Sequence, residues 1–168
     1  FFLDIDEKNI AYFNNSQEMM KEKDFTMMRL NEEKQIPQDL DNTFFIGGDF
    51  TASSIWYNDF SNFDLSDTNF WYSQILNSDF SNTNFSNSDI SYSYLCSPKI
   101  EKSVIHNADF SHSLVFDVDF SKSSLKNTKF DSTTCYYCNF EGMDMKEIKI
   151  SKDYPEFTNF AGSNFRNA

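Results

Sequence analysis

Glycine and proline are scarce in this 168-residue chain, at four and three residues. No apolar run approaches the ~18 residues of a membrane span, and Phe1–Ile5 is too short for the core of a signal peptide. With so little glycine there is no glycine-rich phosphate loop. The only histidines are His106 and His112, and the cysteines are Cys96, Cys135 and Cys138. These supply no nucleophile–base–acid set and no metal-ligand spacing. Catalytic, cofactor and metal sites are therefore not expected. Cysteine is low and odd in number. Cys135 and Cys138 form a single CxxC with no second pair, and Cys135 reads as core packing rather than as half of a disulfide. A reducing, cytoplasmic setting follows as the expectation. Positive charge is missing from one stretch altogether, since residues 48–97 hold six acids and no Lys or Arg.

Phenylalanine, at twenty residues, is abundant, and its placement is regular. Every fifth residue from Phe50 through Ile55, Phe60, Leu65 and Phe70 to Phe160 and Phe165 is apolar, with no slip. Five matches neither the 3.6 of a helix nor the 2.0 of a strand, so the signal is a repeat architecture. Two residues before most centres sits a small side chain, as in Ser53, Thr68, Ser73, Ser78, Ser93, Ser103 and Thr128. One residue before, Asp or Asn recurs, as in Asp49, Asp59, Asp64, Asn69, Asp79, Asn84 and Asp89.

Segments such as Asn107–Ser111 (NADFS), 81–85 (SNTNF) and 87–91 (NSDIS) resemble the A-(D/N)-(L/F)-x-x motif of the pentapeptide repeat family. The resemblance covers about 120 residues. It implies an all-β fold, a right-handed quadrilateral parallel β-helix of about six coils in which the centre and the small residue point inward. The chain itself supports four sides. Every twentieth centre gives a first column of Phe50, Phe70, Ile90, Phe110, Phe130 and Ile150, and a third of Phe60, Phe80, Ile100, Phe120, Phe140 and Phe160. The second is smaller: Ile55, Ile75, Leu95, Val115, Cys135, Pro155. Pro98, Met143, Ile148 and Asp153 break the small-residue rule, which predicts irregular geometry near Pro98 and a distorted coil over 143–157.

Two regions follow: residues 46–168 as the β-helix and 1–45 as a capping or covering segment. In the latter, Phe1, Leu3 and Ile5 alternate like a strand, and Asn15 with Glu18 predicts a capped helix running to about Lys34. Leu40 and Phe45 already fall on the repeat register. A start at Phe and an end in mid-repeat read as a piece of a longer protein.

The net charge of −12 raises one family property, since some pentapeptide repeat proteins are acidic rods that occupy the DNA-binding saddle of a type II topoisomerase. The distribution speaks against it: residues 98–168 hold ten acids and nine bases, interrupting the negative potential along the rod. The outside of the second wall speaks for another role. There the outward slots and their neighbours hold Trp56, Tyr57, Trp71, Tyr72, Leu76, Tyr92, Tyr94, Leu114, Phe116, Tyr136 and Tyr137, joined by Tyr154 and Phe157. So large an apolar surface marks an interaction site. Its occupant is expected to be a protein partner, a second copy in a homodimer, or the Met-rich N-terminal segment. A non-catalytic structural or protein-interaction module is the expected function. A topoisomerase-binding DNA mimic and a recruitment domain of a larger enzyme are the alternatives, and no direct nucleic-acid contact is expected.

Overall fold

Residues 3–4, 23–33, 35–150 and 158–168 are described by the structure, a computed structural model. Among the described residues, seven parallel strands stack in chain order on one wall: β1 Leu3–Asp4, β2 Met28–Leu30, β3 Ser54–Trp56, β4 Gln74–Leu76, β5 Tyr94–Cys96, β6 Leu114–Phe116 and β7 Thr134–Tyr136. The interior strands pair at an offset of twenty residues, as in Ile55 with Ile75 and Leu95 with Val115. Single bridges repeat this offset on the other three walls: Asp49 with Asn69, Asp59 with Asp79, and Asp64 with Asn84. The fold is thus a four-sided parallel β-helix, with walls one to four carrying the centres Phe50, Ile55, Phe60 and Leu65 and their successors.

The repeat slots each have a mechanical reason. Centres from Phe50 to Phe140 are buried, and Phe60 stacks on Phe80 with ring centroids 5.0 Å apart, as Phe120 stacks on Phe140. The small slot is mostly Ser or Thr because its hydroxyl joins coils. Ser93 Oγ donates to the carbonyl of Phe70 at 2.7 Å, Ser103 Oγ to that of Phe80 at 2.8 Å, and Ser113 Oγ to that of Ile90 at 2.7 Å. The Asp/Asn slot closes a turn, its Oδ1 accepting the backbone N–H two residues on: Asp59 from Ser61, Asn69 from Trp71, Asp89 from Ser91. Among the described residues no buried side-chain nitrogen or oxygen lacks a hydrogen-bond partner.

Several expectations need correction. Met28–Leu30, expected in the last turns of an N-terminal helix, is strand β2, and Leu30 is buried beneath Ile55. The rod therefore continues below residue 46: Phe25 stacks on Phe50 at 4.7 Å. Residues 23–27 and 31–33 of the expected helix are bridges and turns as well, and residues 15–22 and 34 lie outside the described residues; Leu3–Asp4 is the short strand expected near the start of the chain.

Pro98 causes no irregularity. It is buried in a regular coil, and Lys99 still donates to the Ser78 carbonyl at 2.9 Å. On that corner the backbone N–H of the small slot reaches for a hydroxyl in the next coil, as Asn58 does to Ser78 Oγ. The residue one coil beyond Pro98 is Val118, which has no hydroxyl, so the N–H that proline lacks would have had no acceptor there.

Nor does Phe160 continue the third column. Asn159 pairs with Thr134 and Asn164 with Asn139, an offset of twenty-five, so Phe165 stacks on Phe140 at 5.1 Å and Phe160 moves to wall two. The distortion expected over 143–157 is seen in its described part as a 3-10 turn at Met145–Glu147.

Cys135 lies in column two as expected, but its sulfur is bonded to that of Cys138. A wall-two centre and the small slot three residues on both point inward at one corner, 6.0 Å apart at Cα, within the reach of a cystine. Cys96 keeps a free thiol.

Candidate docking site

The outward slots of wall two form a flat face flanked by two corners. Trp56, Tyr57, Trp71, Tyr72, Tyr92, Leu114, Phe116 and Tyr137 are exposed on it, while Leu76, Tyr94 and Tyr136 are half-buried among them. Tyr154 and Phe157 lie outside the described residues. The face divides into two clusters. On the corner toward wall one, Trp71 lies 5.5 Å from Tyr72 and 6.2 Å from Tyr92, and Tyr92 stacks on His112 at 4.6 Å and 22°. On the corner toward wall three, Phe116 meets Tyr137 at 5.4 Å and Tyr136 at 6.2 Å. A shallow groove runs across the face between Tyr72, Gln74, Tyr92, Tyr94, His112 and Leu114.

The backbone at these corners is left-handed, which L-residues adopt at a cost unless they are Asn or Asp. Asparagine is accordingly the commonest corner residue among those described, as at Asn62, Asn77, Asn82, Asn87, Asn107 and Asn127, with φ between 49° and 66°. Four corners bordering wall two carry tyrosine instead: Tyr57, Tyr72, Tyr92 and Tyr137, with φ of 57–59°. Bulky rings stand where the backbone prefers a small polar residue.

The described N-terminal residues do not cover this face. Residues 23–33 and 35–45 stack on the end of the coil, where Gln35 Nε2 donates to the Tyr57 carbonyl and Ile36 N–H to Asn58 Oδ1. Met28, expected as part of a Met-rich cover, is buried within the coil, and Met27 is exposed.

Charge on the rod is largely structural. Lys99 pairs with Asp79 at 3.3 Å, Lys122 with Glu101 at 2.9 Å and Lys129 with Asp109 at 2.7 Å, each across adjacent coils. Burial pushes the Asp109 carboxyl up, but bonds from Lys129 and Ser111 outweigh it and hold it below the usual aspartate range. Asp119 behaves likewise: burial raises it, and bonds from Ser121 and Asn139 lower it further. Among the described residues no three His, Cys, Asp or Glu gather as metal ligands, and no helix is long and apolar enough to cross a membrane. His106 binds Ser124 Oγ at 2.6 Å, away from the aromatic face. The sequence reading missed the Tyr92–His112 stack, although the two residues are twenty apart and so neighbours in one column.

A square rod of five-residue sides, with its interior filled by stacked rings, defines a β-solenoid. The sequence model for pentapeptide repeats matches residues 64–97 in 8 copies. Residues 64–97 are thus pentapeptide repeats. No curated protein matches it in sequence. Among solved structures it is similar to HetL, a pentapeptide repeat protein involved in heterocyst differentiation regulation in the cyanobacterium Nostoc, with TM-score 0.41 and 10% identity over 86% of this chain and 77% of that one. QnrB1, a plasmid-mediated fluoroquinolone resistance protein, gives TM-score 0.37 and 13% identity over 83% of this chain and 90% of the other. A pentapeptide repeat protein of the Arabidopsis thaliana thylakoid lumen gives 0.32 and 18% over 67% and 72%.

Proposed function

We propose that this chain is a non-catalytic protein-docking module whose contact surface is the aromatic face of wall two. The observation that carries the reading is the row of tyrosines in left-handed corners. Asparagine would suit the backbone better there, as it does at Asn62, Asn82 and Asn107, and a strained position held by a large exposed ring points to use of the ring. Tryptophan and tyrosine are also the residue types that dominate binding hot spots. Occupancy by a second copy, by residues 5–22, or by another domain of a larger enzyme would engage the same face.

Selection of displayed random peptides on the immobilised chain tests this. Most binders are expected to lose about tenfold or more in affinity on the Trp56→Ser, Phe116→Ser variant. A panel of binders indifferent to both substitutions would remove the face from consideration. Thermal melting of the variant checks that the exposed substitutions leave the rod folded.

The topoisomerase reading is weaker because five acids of the basic-free stretch, Asp49, Asp59, Asp64, Asp79 and Asp89, are held in turn-closing bonds. The lysines of the other half neutralise the rod where a duplex would stay negative. Accordingly, the chain is expected not to inhibit DNA gyrase supercoiling at low micromolar concentration. Inhibition that weakens with added salt would favour the DNA-mimic role instead.

A further inference from the structure

We infer that the corner between walls one and two takes arginine or lysine side chains from a basic segment of the partner protein, an inference that rests on the docking reading above. Two independent features meet there. The first is a set of open ring faces. Trp71 is 43% exposed, Tyr72 61% and Tyr92 51%. One face of Tyr92 is covered by His112, so the corner presents Trp71 and Tyr72 as its platform. A guanidinium or ammonium within about 6 Å of such a ring is attracted by its quadrupole, most strongly for tryptophan.

The second feature is charge. Asn69, two residues before Trp71, is bridged in the wall-one ladder to Asp49 on one side and Asp89 on the other. Oδ1 of each is fixed by the N–H of Thr51 or Ser91. Each closes a turn and still keeps its charge, and neither belongs to the ion pairs of Asp79, Glu101 and Asp109. Lys129, whose field reaches Asp89, is itself bonded to Asp109. No Lys or Arg occurs in residues 48–97, so the two and a half coils that carry Trp71, Tyr72 and Tyr92 hold acids alone. A cation approaching it is steered inward, while phosphate-bearing partners, nucleic acid or anionic lipid, are repelled. A neutral apolar partner would satisfy the rings but draw nothing from the two carboxylates.

The test uses a twelve-residue peptide alternating Arg and Ser, and the same peptide with citrulline at each Arg, which keeps the shape and removes the charge. In a Trp56→Phe background Trp71 is the remaining indole, since the chain has two tryptophans, and its emission reports binding. The Arg peptide is expected to bind about tenfold more tightly than the citrulline peptide. Binding read by calorimetry should fall about tenfold for Trp71→Ser. The double change Asp49→Asn, Asp89→Asn keeps both turn-closing oxygens; it should weaken binding about threefold and flatten its salt dependence. Equal binding of the two peptides, or no response to Trp71→Ser in a variant that melts normally, overturns the inference. The display selection separates the two levels. Binders that need Trp56 and Phe116 but carry no Arg or Lys leave the docking reading standing and sink this one. Binders that need neither sink the docking reading itself.

Discussion

Phe80→Ala is expected to destabilise the rod by about 3–5 kcal/mol, measured as a shift of the urea midpoint. Phe80 is 1% exposed and lies in column three, stacked on Phe60 at 5.0 Å and touching Phe85 at 5.4 Å. The next coil is already thin, because Ile90 and Ile100 replace phenylalanine in columns one and three at the same level. An apolar gap of about 20 Å³ results, lined in part by Phe80, Phe85, Ile90 and Ile100. Removing the Phe80 ring opens a second void beside that gap, and a square coil tied on four walls has little freedom to collapse into it. Because each coil contacts only its neighbours, the loss also weakens coupling between the two halves of the rod. A second step in the unfolding curve should therefore accompany the shift. A midpoint change equivalent to less than ~1 kcal/mol would mean that the column does not carry the stability assigned to it.

Asn107→Pro is expected to cost about 3 kcal/mol or more, whereas Asn107→Gly should stay within about 1 kcal/mol of the parent. Asn107 has φ 57°, which the proline ring, fixed near −65°, does not reach. Its N–H donates to the Lys126 carbonyl at 2.9 Å, a bond that proline also removes. The side chain belongs to a ladder along one edge of the rod, in which Asn107 Nδ2 donates to Asn87 Oδ1 and Asn127 Nδ2 to Asn107 Oδ1, both at 3.2 Å. Glycine keeps the conformation and loses only these exposed amide bonds. Equal melting temperatures for the two variants would show that the left-handed corner is not what proline disrupts.

Much of this architecture is legible in the linear chain. The five-residue register identifies the buried centres, and the segregation of large and small centres at every twentieth residue identifies four sides. The Asp/Asn and Ser/Thr slots follow from local chemistry: one closes a turn two residues away, the other joins a hydroxyl to the coil beneath. The aromatic face is legible too, because outward slots twenty residues apart become neighbours once the coil is known. These features repeat at a fixed spacing, so each copy reinforces the reading of the others.

What the chain alone leaves open is which wall a pentapeptide occupies near the ends. Coils at both ends are longer by five residues: Leu3 pairs with Met28, Leu30 with Ile55 and Asn139 with Asn164, each at an offset of twenty-five. An extra whole repeat keeps every apolar centre in phase, so it is silent in the register and visible only in the pairing. The plain count would place Phe160 on Phe140 and Pro155, a poor strand residue, beside β7. Tertiary structure instead seats Phe165 on Phe140 with rings 4° from parallel, and gives Cys135 the Asn159 carbonyl as its acceptor at 2.6 Å. The Cys135–Cys138 cystine and the Tyr92–His112 stack were decided at the same level. Each depends on two side chains meeting at a corner or in a column, a geometry that spacing permits and only the closed coil enforces.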